Sequence, residues 1–328
     1  MLNDFGIFHI INETDFNRTA LKIFQFQFDN NPIYKRFVNL LNIKPENIKH
    51  YKDIPFLPIQ FFKEHQIVSA PPPYEAIFKS SGTTGMIRSK HLIKYLNLYE
   101  QSFTRTFNIF YGDISQYTIM ALLPSYVEQG HSSLVYMADK LIKKSKKQYS
   151  GFYLDNTDRL AEILKKLDER GEKILLLGVS YALLNLVEKN KFNLKNTIIM
   201  ETGGMKGRRK EMLREELHKH LTAGFGVKSI HSEYGMTELL SQSYSHGEGF
   251  FKSPPWKKIL IRDTEDPLTY LPDGKTGGIN VIDLANIYSC SFIATQDLGK
   301  KSATGEFEIL GRFDNSDIRG CNLLIFQN

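Results

Sequence analysis

Residues 79–91 read KSSGTTGMIRSKH, a stretch in which glycines and hydroxyl side chains crowd together ahead of a cationic segment. The glycines are Gly82 and Gly85, the hydroxyl residues are Ser80, Ser81, Thr83 and Thr84, and the cations are Arg88 and Lys90. Glycine tolerates positive φ, which lets neighbouring backbone N–H groups point the same way, and hydroxyls and cations suit phosphate oxygens. The spacing of a Walker loop is absent. The stretch therefore predicts a phosphate-binding loop of another kind, although a polar turn between two elements has a similar composition.

Outward from this loop, the apolar pattern alternates between strands and helices. Residues 74–78 are predicted to form a strand and residues 92–110 a helix, an arrangement in which backbone donors converge on an anion. Further strands are predicted at 117–123, 173–177, 197–200 and 228–232, and further helices at 132–144, 158–170, 181–189 and 208–221. This alternation indicates an α/β fold with a mainly parallel sheet, in which ligands bind at the carboxyl ends of the strands.

The two ends of the chain differ in texture. Near the N-terminus, residues 13–28 and 32–41 have helical spacing of apolar residues. After Pro254 and Pro255 helical periodicity disappears, and short apolar strands are predicted at 258–261, 278–282, 291–295 and 306–310. We therefore expect an α/β core over residues 1–254 and a β-rich subdomain of the same catalytic unit over residues 255–328.

Composition bounds the class of protein. With 328 residues, 41% hydrophobic and 24% charged, the chain is typical of a folded globular enzyme. The net charge of +6 comes without the interleaved aromatic residues of a nucleic-acid reader, so no nucleic-acid partner is expected. Two cysteines, Cys290 and Cys321, give no disulfide framework. Without a secretory signal or an apolar run long enough to span a bilayer, a cytoplasmic location is expected.

Four further loops carry candidate ligand-binding residues. Residues 201–204 (ETGG) and 231–238 (HSEYGMTE) follow predicted strands, and residues 295–299 (TQDLG) and 311–314 (GRFD) lie in the C-terminal part. The glycine pair permits close approach of a flat ligand, while a tyrosine ring, a threonine hydroxyl and a carboxylate suit a base, a phosphate and a divalent ion. Each loop alone is equally consistent with an ordinary turn, a buried tyrosine or a capping glutamate.

Taken in order, SSGTTG, GG, YGMTE, DLG and GRFD resemble the motifs of the adenylate-forming superfamily of acyl-CoA synthetases. Within it, the segments IPFLPIQFFKEH, LLPSYVEQGHSSLVYM, ETGGMKGRR and HSEYGMTELLSQ are most similar to the LuxE-type fatty acyl-protein synthetases, with phenylacetate-CoA ligases as more distant kin. The resemblance implies the large N-terminal domain fold of these enzymes, with ATP and Mg²⁺ as cofactors and a carboxylic acid, in this subfamily a fatty acid, as substrate.

The resemblance also implies a role for each matching residue. ATP phosphates would bind Ser81, Gly82, Thr83, Thr84 and Gly85, with Thr84 near the metal. Adenine would lie between Tyr234 on one side and Gly203 and Gly204 on the other. Thr237 would approach the α-phosphate, Glu238 would ligate magnesium, and Asp297 and Arg312 would bind the ribose.

Some positions depart from the pattern of the superfamily. Gln296 replaces a usual glycine and Ile87 a frequent proline, and the sequence given ends shortly after GRFD, where larger synthetases continue into a lid with a catalytic lysine. Arg88, Lys90 or Lys206 is then expected to supply that charge, unless adenylation is slow or a partner completes the site.

The acyl acceptor is expected to be a thiol. Cys321 lies near Arg319, a neighbour that lowers a thiol pKa, and it matches the acyl-carrying cysteine of LuxE-type enzymes, whereas Cys290 is assigned to the core. A buried structural cysteine is the alternative at position 321. Alternatives for the whole protein are a ligase that uses coenzyme A or an acyl-carrier protein as acceptor, or a nucleotide-binding homologue that has lost activity. The residues do not identify the acid or the acceptor protein.

Overall fold

The computed structural model describes residues 5–81, 87–124, 130–203 and 212–312. The chain forms two compact units: unit 1 comprises Met1–Ser69 and Pro255–Asn328, and unit 2 comprises Ala70–Pro254. Within the described ranges, no helix is both long enough and apolar enough to cross a membrane.

Helices and strands follow one another as the alternating pattern predicts. The helices are α1 (Glu13–Asn30), α2 (Pro32–Leu40), α3 (Phe61–Glu64), α4 (Leu96–Tyr111), α5 (Ser133–Ser145), α6 (Thr157–Glu169), α7 (Ser180–Lys189) and α8 (Arg214–Phe225). The strands are β1 (Leu57–Pro58), β2 (Ala76–Lys79), β3 (Lys90–Ile93), β4 (Thr118–Leu122), β5 (Gly151–Phe152), β6 (Ile174–Val179), β7 (Thr197–Thr202), β8 (His231–Tyr234), β9 (Ser243–Ser245), β10 (Lys257–Arg262), β11 (Gly277–Asp283), β12 (Phe292–Lys301) and β13 (Phe307–Arg312). The predicted α/β fold class is confirmed.

Unit 1 contains a mostly antiparallel sheet against which the N-terminal helices pack. Its strands are ordered β1-β12-β11-β10, with β13 paired to β12, and β1 joins β12 in parallel register. Helix α1 begins after Asn12, whose side chain accepts a hydrogen bond from the backbone N–H of Asp15 at 2.9 Å. Its buried Gln27 donates from Nε2 to the carbonyls of Asn286 and Ile287 at 3.0 and 2.9 Å.

These long-range contacts change the predicted division of the chain. Residues 1–69 were expected to join the α/β core, and they group instead with residues 255–328. The physical reason is that β1 completes the sheet beside β12 and that α1 satisfies buried carbonyls of that part of the chain. Neither contact leaves a signal in the local composition, although the boundary near residue 255 coincides with the change of texture.

Unit 2 is built on a sheet of six strands ordered β5-β4-β6-β7-β8-β9. The pairs from β5 to β8 are parallel, and β9 closes the edge antiparallel to β8. Every residue of β6, ILLLGV, is buried, as expected for a central strand covered on both faces. The carboxyl ends of β7 and β8 therefore lie side by side.

The predicted phosphate loop connects two strands and not a strand to a helix. Strands β2 and β3 pair in antiparallel register, with Lys79 opposite Lys90, so residues 90–93 form a strand and α4 begins only at Leu96. The predicted helix over residues 92–110 is therefore wrong at its start. A short apolar run such as Leu92–Ile93 fits a helix or a strand equally by periodicity, and the partner strand decides between them. The described residues on either side of the loop thus belong to β2 and to the segment that leads into β3, and α4 begins further along the chain.

Candidate active site

The carboxyl ends of β7 and β8 form the centre of the candidate site. Their parallel register pairs Glu201 with Ser232 and Thr202 with Glu233. Gly203 and Tyr234, which were predicted to flank an adenine, therefore lie at adjacent strand ends. Successive side chains in a strand point to opposite faces, so the two cross-strand pairs lie on opposite sides of the sheet.

On one face, Glu201 is a buried carboxylate surrounded by donors. Its Oε1 accepts a hydrogen bond from Ser232 Oγ at 2.7 Å and lies 3.5 Å from His218 Nε2 and 3.6 Å from Arg214 Nε. Its Oε2 lies 3.4 Å from Ser180 Oγ. Burial raises the pKa of Glu201, but the His218, Arg214 and Ser232 contacts together outweigh it and leave that pKa below its usual value. The carboxylate is thus charged at neutral pH.

On the other face, Glu233 is a second buried carboxylate. Thr202 Oγ1 donates to Glu233 Oε2 at 2.6 Å, and Glu233 Oε1 lies against Gly235, where an added Cβ would be only 2.5 Å away. A side chain at position 235 would therefore force this carboxylate or the loop backbone to move. Burial raises the pKa of nearby Tyr99, Tyr111 and Tyr244, and the negative charge of Glu233 adds to each shift.

The ring of Tyr234 packs against Phe251, which in turn lies against Arg214. Tyr234 and Phe251 meet edge to face with their ring centroids 6.0 Å apart. The guanidinium carbon of Arg214 lies 5.0 Å from the centroid of the Phe251 ring. At 9% exposure Tyr234 is nearly buried.

The β2–β3 hairpin is attached to the segment that follows β8. Ser80 and Ser89 exchange hydrogen bonds at the base of the loop: the backbone N–H of Ser80 donates to the Ser89 carbonyl at 3.1 Å, and that of Ser89 to Ser80 Oγ at 3.0 Å. Two residues after Ser89, the buried His91 has its Nδ1 2.8 Å from the carbonyl oxygen of Thr237. Strand β3 is therefore attached to the segment that contains Thr237.

The predicted cations and the metal ligand can be placed on these elements. Arg88 and Lys90 are exposed, and Lys90 points to the face of β3 opposite His91. Ser81 is exposed at the start of the loop, and Glu238 is buried with 5% exposure directly after Thr237. The predicted site residues Gly82, Thr83, Thr84, Gly85, Gly204 and Cys321, together with Lys206, lie outside the described residues.

The predicted ribose ligands belong to unit 1. Arg312 Nε donates to Asp297 Oδ1 at 3.0 Å, joining β13 to β12. A buried arginine, Arg262, donates from Nη2 to the carbonyl of Thr295 at 2.6 Å and from Nη1 to the carbonyl of Ile279 at 2.8 Å. Burial lowers the pKa of Arg262 to about 10, and the charge of Asp297 opposes that shift. The Asp297 carboxylate thus interacts with two cations, Arg312 and Arg262, and only Arg312 was predicted from the sequence.

Cys290 has the environment of a core residue. Cys290 is fully buried, and burial raises the pKa of its thiol to about 12. A thiol with such a pKa is protonated at neutral pH and is a poor nucleophile, in keeping with its predicted structural role.

The metal ligand predicted from the motifs is the Glu238 carboxylate. Among the described residues, no group of three or more His, Cys, Asp and Glu side chains is arranged to hold a metal ion. Magnesium needs no such group, since one or two carboxylates with phosphate oxygens and water complete its octahedral shell. The Glu238 carboxylate fits that requirement in its chemistry.

Three residues of unit 2 at the candidate site were given no role by the sequence: Glu201, Arg214 and His91. Glu201 stands in the quoted ETGG motif at the end of β7, which is the signal that could have found it. Arg214 and His91 contact residues of other elements, so no local pattern indicates them. In unit 1, Arg262 was likewise not predicted.

The fold is that of adenylate-forming acid–thiol ligases. ATP-bound MatB from Rhodopseudomonas palustris has a TM-score of 0.54 and 20% identity, with 82% of this chain and 53% of MatB covered. 2-Hydroxyisobutyryl-CoA ligase in the postadenylation state has a TM-score of 0.69 and 12% identity, with 93% of this chain and 69% of the ligase covered. This chain thus spans about half the length of MatB.

The sequence itself gives the narrower assignment. The family profile described as acyl-protein synthetase, LuxE, matches residues 11–328, and the chain belongs to that family. The predicted resemblance is confirmed. No curated protein matches the sequence.

Proposed function

We propose that this chain activates a carboxylic acid with ATP and transfers the acyl group to a thiol. The observation that carries the proposal is the placement of Gly203, Tyr234, Thr237 and Glu238 at and after two adjacent strand ends in a member of the LuxE family. In parallel sheets this edge is where ligands bind.

The reaction has two steps. A carboxylate oxygen of the acid attacks the α-phosphorus of ATP, the bond to the bridging oxygen breaks, and pyrophosphate leaves, giving an acyl-adenylate. A thiolate then attacks the acyl carbon, and AMP leaves with the electron pair of the mixed anhydride. Most of the rate enhancement would come from positioning and from neutralising charge on the phosphates.

Residues of unit 2 take the proposed roles toward adenine and phosphate. Tyr234 and Gly203 hold the adenine, and Thr237, whose main chain is fixed by His91, directs its hydroxyl to the α-phosphate. Glu238 would hold Mg²⁺, which when bound neutralises phosphate charge. The proposed phosphate ligands and nearby cations are Ser81, Gly82, Thr83, Thr84, Gly85, Arg88 and Lys90, with Thr84 as second metal ligand and Gly204 beside the adenine.

The ribose and the acyl acceptor are assigned to unit 1. Asp297 accepts from the ribose hydroxyls and Arg312 supports that carboxylate, to which it already donates at 3.0 Å. The proposed acid is a fatty acid and the proposed acceptor is Cys321, from which the acyl group passes to a partner protein. A second candidate acceptor is coenzyme A, because one 2-hydroxyisobutyryl-CoA ligase structure with the same fold, at a TM-score of 0.66, is described as a complex with 2-HIB-AMP and CoA.

ATP–pyrophosphate exchange with magnesium tests the first step. The enzyme is screened against fatty, aryl and short-chain acids, and we expect exchange that depends on fatty acids and falls at least a hundredfold in Glu238→Gln, the order of magnitude for losing a charged group that acts on the reacting phosphates. Glu215→Gln, which changes an exposed carboxylate on α8, is the matched control and keeps full exchange. Absence of exchange with every acid would refute the proposed activation step.

Covalent labelling tests the acceptor. With a radiolabelled fatty acid and ATP, wild-type protein retains label after denaturation, and hydroxylamine releases it as expected for a thioester. Cys321→Ser loses that label but keeps pyrophosphate exchange. Equal labelling of the variant would exclude Cys321, and formation of acyl-CoA by the variant at the wild-type rate would select coenzyme A as acceptor.

A further inference from the structure

Glu201 occupies a position from which it contacts the supports of both proposed adenine walls. It is buried at 6% exposure in unit 2 and is absent from the residues to which the motifs assign a role. It lies two positions before Gly203 on β7 and opposite Ser232 on β8, which in turn lies two positions before Tyr234. Because side chains two apart in a strand share a face, Glu201 lies on the same face as Ser232 and Tyr234, and Gly203 directly follows the end of β7.

The first connection runs to Gly203 through Ser180. The Ser180 hydroxyl, at the start of α7, lies 3.1 Å from the carbonyl oxygen of Gly203 and 3.4 Å from Glu201 Oε2. One proton is shared between these two acceptors. The backbone of Gly203, which has a φ of 58°, is thereby tied to the same hydroxyl as the carboxylate.

The second connection runs to Tyr234 through Arg214. The Arg214 side chain lies between Glu201 Oε1, 3.6 Å from its Nε, and the ring of Phe251, whose centroid is 5.0 Å from its guanidinium carbon. Phe251 supports the Tyr234 ring at a centroid distance of 6.0 Å. The ion pair with Glu201 thus holds the Arg214 guanidinium against the Phe251 ring. Phe251 in turn sets the position of the Tyr234 ring.

Two of the side chains beside Glu201 come from one face of a single helix. Arg214 and His218 are four residues apart in the first turns of α8 and therefore lie on the same face, both toward Glu201. Glu201, a residue of β7, thus contacts side chains of β8, α7 and α8 at the end of the sheet where the adenine is proposed to bind.

We infer that Glu201, acting through Ser180 and Arg214, is a positioning residue that sets the spacing between Gly203 and Tyr234 for the adenine of ATP. The inference rests on the proposed function and deepens it. Because the network touches the proposed adenine walls, its loss weakens ATP binding and raises KM for ATP, while KM for the acid stays within twofold.

The test compares four variants with matched controls. Glu201→Gln keeps the shape but loses the charge and one of the two acceptor oxygens, Arg214→Met loses the cation, and Arg214→Lys restores it. Ser180→Ala removes one hydroxyl only. The controls are Glu216→Gln and Lys219→Met, which change exposed residues on the same helix.

The primary measurement is the dissociation constant of ATP, by titration calorimetry on the full chain, with KM for ATP and for the acid from pyrophosphate exchange and a thermal melt of each variant. We expect about tenfold weaker ATP binding in Glu201→Gln and Arg214→Met, about threefold in Ser180→Ala, partial recovery in Arg214→Lys, and no change in the controls, as for the loss of a charge-assisted or a neutral hydrogen bond.

Each outcome separates this inference from the proposed function. Wild-type protein that binds ATP and exchanges pyrophosphate, with unchanged ATP affinity in Glu201→Gln and Ser180→Ala, overturns the positioning role and leaves adenylation intact. Wild-type protein that binds no ATP overturns the proposed function and this inference together. If Glu201→Gln fails to fold, Ser180→Ala decides, because an equal rise in KM for ATP and for the acid indicates a general structural role and refutes the inference.

Discussion

Replacement of Gly235 by alanine tests whether the tight contact with Glu233 defines the loop after β8. An added Cβ would lie 2.5 Å from Glu233 Oε1, well inside van der Waals contact. The carboxylate cannot simply swing away, because its other oxygen accepts the 2.6 Å hydrogen bond from Thr202 Oγ1 in a buried setting. Either the bond breaks or the loop backbone shifts, and each course costs about 1–3 kcal/mol.

Stability is measured by urea unfolding and by the thermal midpoint. A loss of this size lowers the midpoint by about 2–4 °C for each kcal/mol in a unit of this size class. Gly151→Ala is the matched control, since its added Cβ meets nothing closer than 3.7 Å, an ordinary contact with the Tyr153 ring. The Gly235→Ala variant should also bind ATP more weakly, because Gly235 lies between Tyr234 and Thr237.

A double-mutant cycle identifies the cause. In a Glu233→Ala background the carboxylate is gone, so adding Gly235→Ala should cost less than about 0.5 kcal/mol, which leaves a coupling energy of about 1–2 kcal/mol. Equal destabilisation in both backgrounds, or a Gly235→Ala variant as stable as wild type, would show that the clash with Glu233 is not what requires glycine.

Three further predictions concern the side chains of His91, Arg262 and His231. His91→Leu removes the hydrogen bond to the Thr237 carbonyl and leaves that acceptor unsatisfied, so we expect a loss of about 1–3 kcal/mol and a higher KM for ATP, whereas His91→Asn, which keeps a donor near the Nδ1 position, recovers part of both. Equal effects of the two variants in urea unfolding and kinetics would contradict this role. Arg262→Met leaves buried acceptors unpaired and should cost about 2–5 kcal/mol in urea unfolding, while Arg312→Met, at a side chain 72% exposed, should cost less than about 1 kcal/mol, and the reverse order would refute the assignment. Burial lowers the pKa of His231 from 6.5 to about 4. Between these pH values the unfolded chain carries a protonated His231 and the folded protein a neutral one. Stability should therefore fall by up to about 3 kcal/mol as the pH drops from about 6.5 to about 4. His231→Phe should flatten the pH dependence of urea unfolding in that range, and an unchanged slope would show that another group titrates.

Several features of the fold follow from local sequence. The strand at residues 174–179 and the helices before and after it can be recognised from the spacing of apolar residues and from the turn residues between them. The strand before Gly203 was predicted nearly as it stands, since β7 is Thr197–Thr202, but residues 231–234 of the predicted loop 231–238 form β8 itself, so the strand expected at 228–232 lies two to three residues further along the chain. Once the order of the strands is known, the carboxyl ends of β7 and β8 are the expected place for a ligand.

The errors arose where pairing partners decide the structure. Residues 92–93 belong to a strand because β2 lies beside them, and residues 1–69 join the C-terminal part because β1 pairs with β12. Both outcomes depend on contacts between distant segments, which the periodicity of one segment does not report.

The sequence by itself determined the α/β class, because backbone propensity and glycine chemistry act over a few neighbouring residues, and the resemblance of its motifs to LuxE-type enzymes supplied the residues proposed to bind ATP. Only the tertiary structure decided that Glu201 and Glu233 lie on opposite faces of the sheet, each bound to a hydroxyl of the neighbouring strand. The same holds for the contact between His91 and Thr237, which are 146 residues apart. Strand register sets such contacts, and a shift by one residue would exchange the faces of every side chain in the strand.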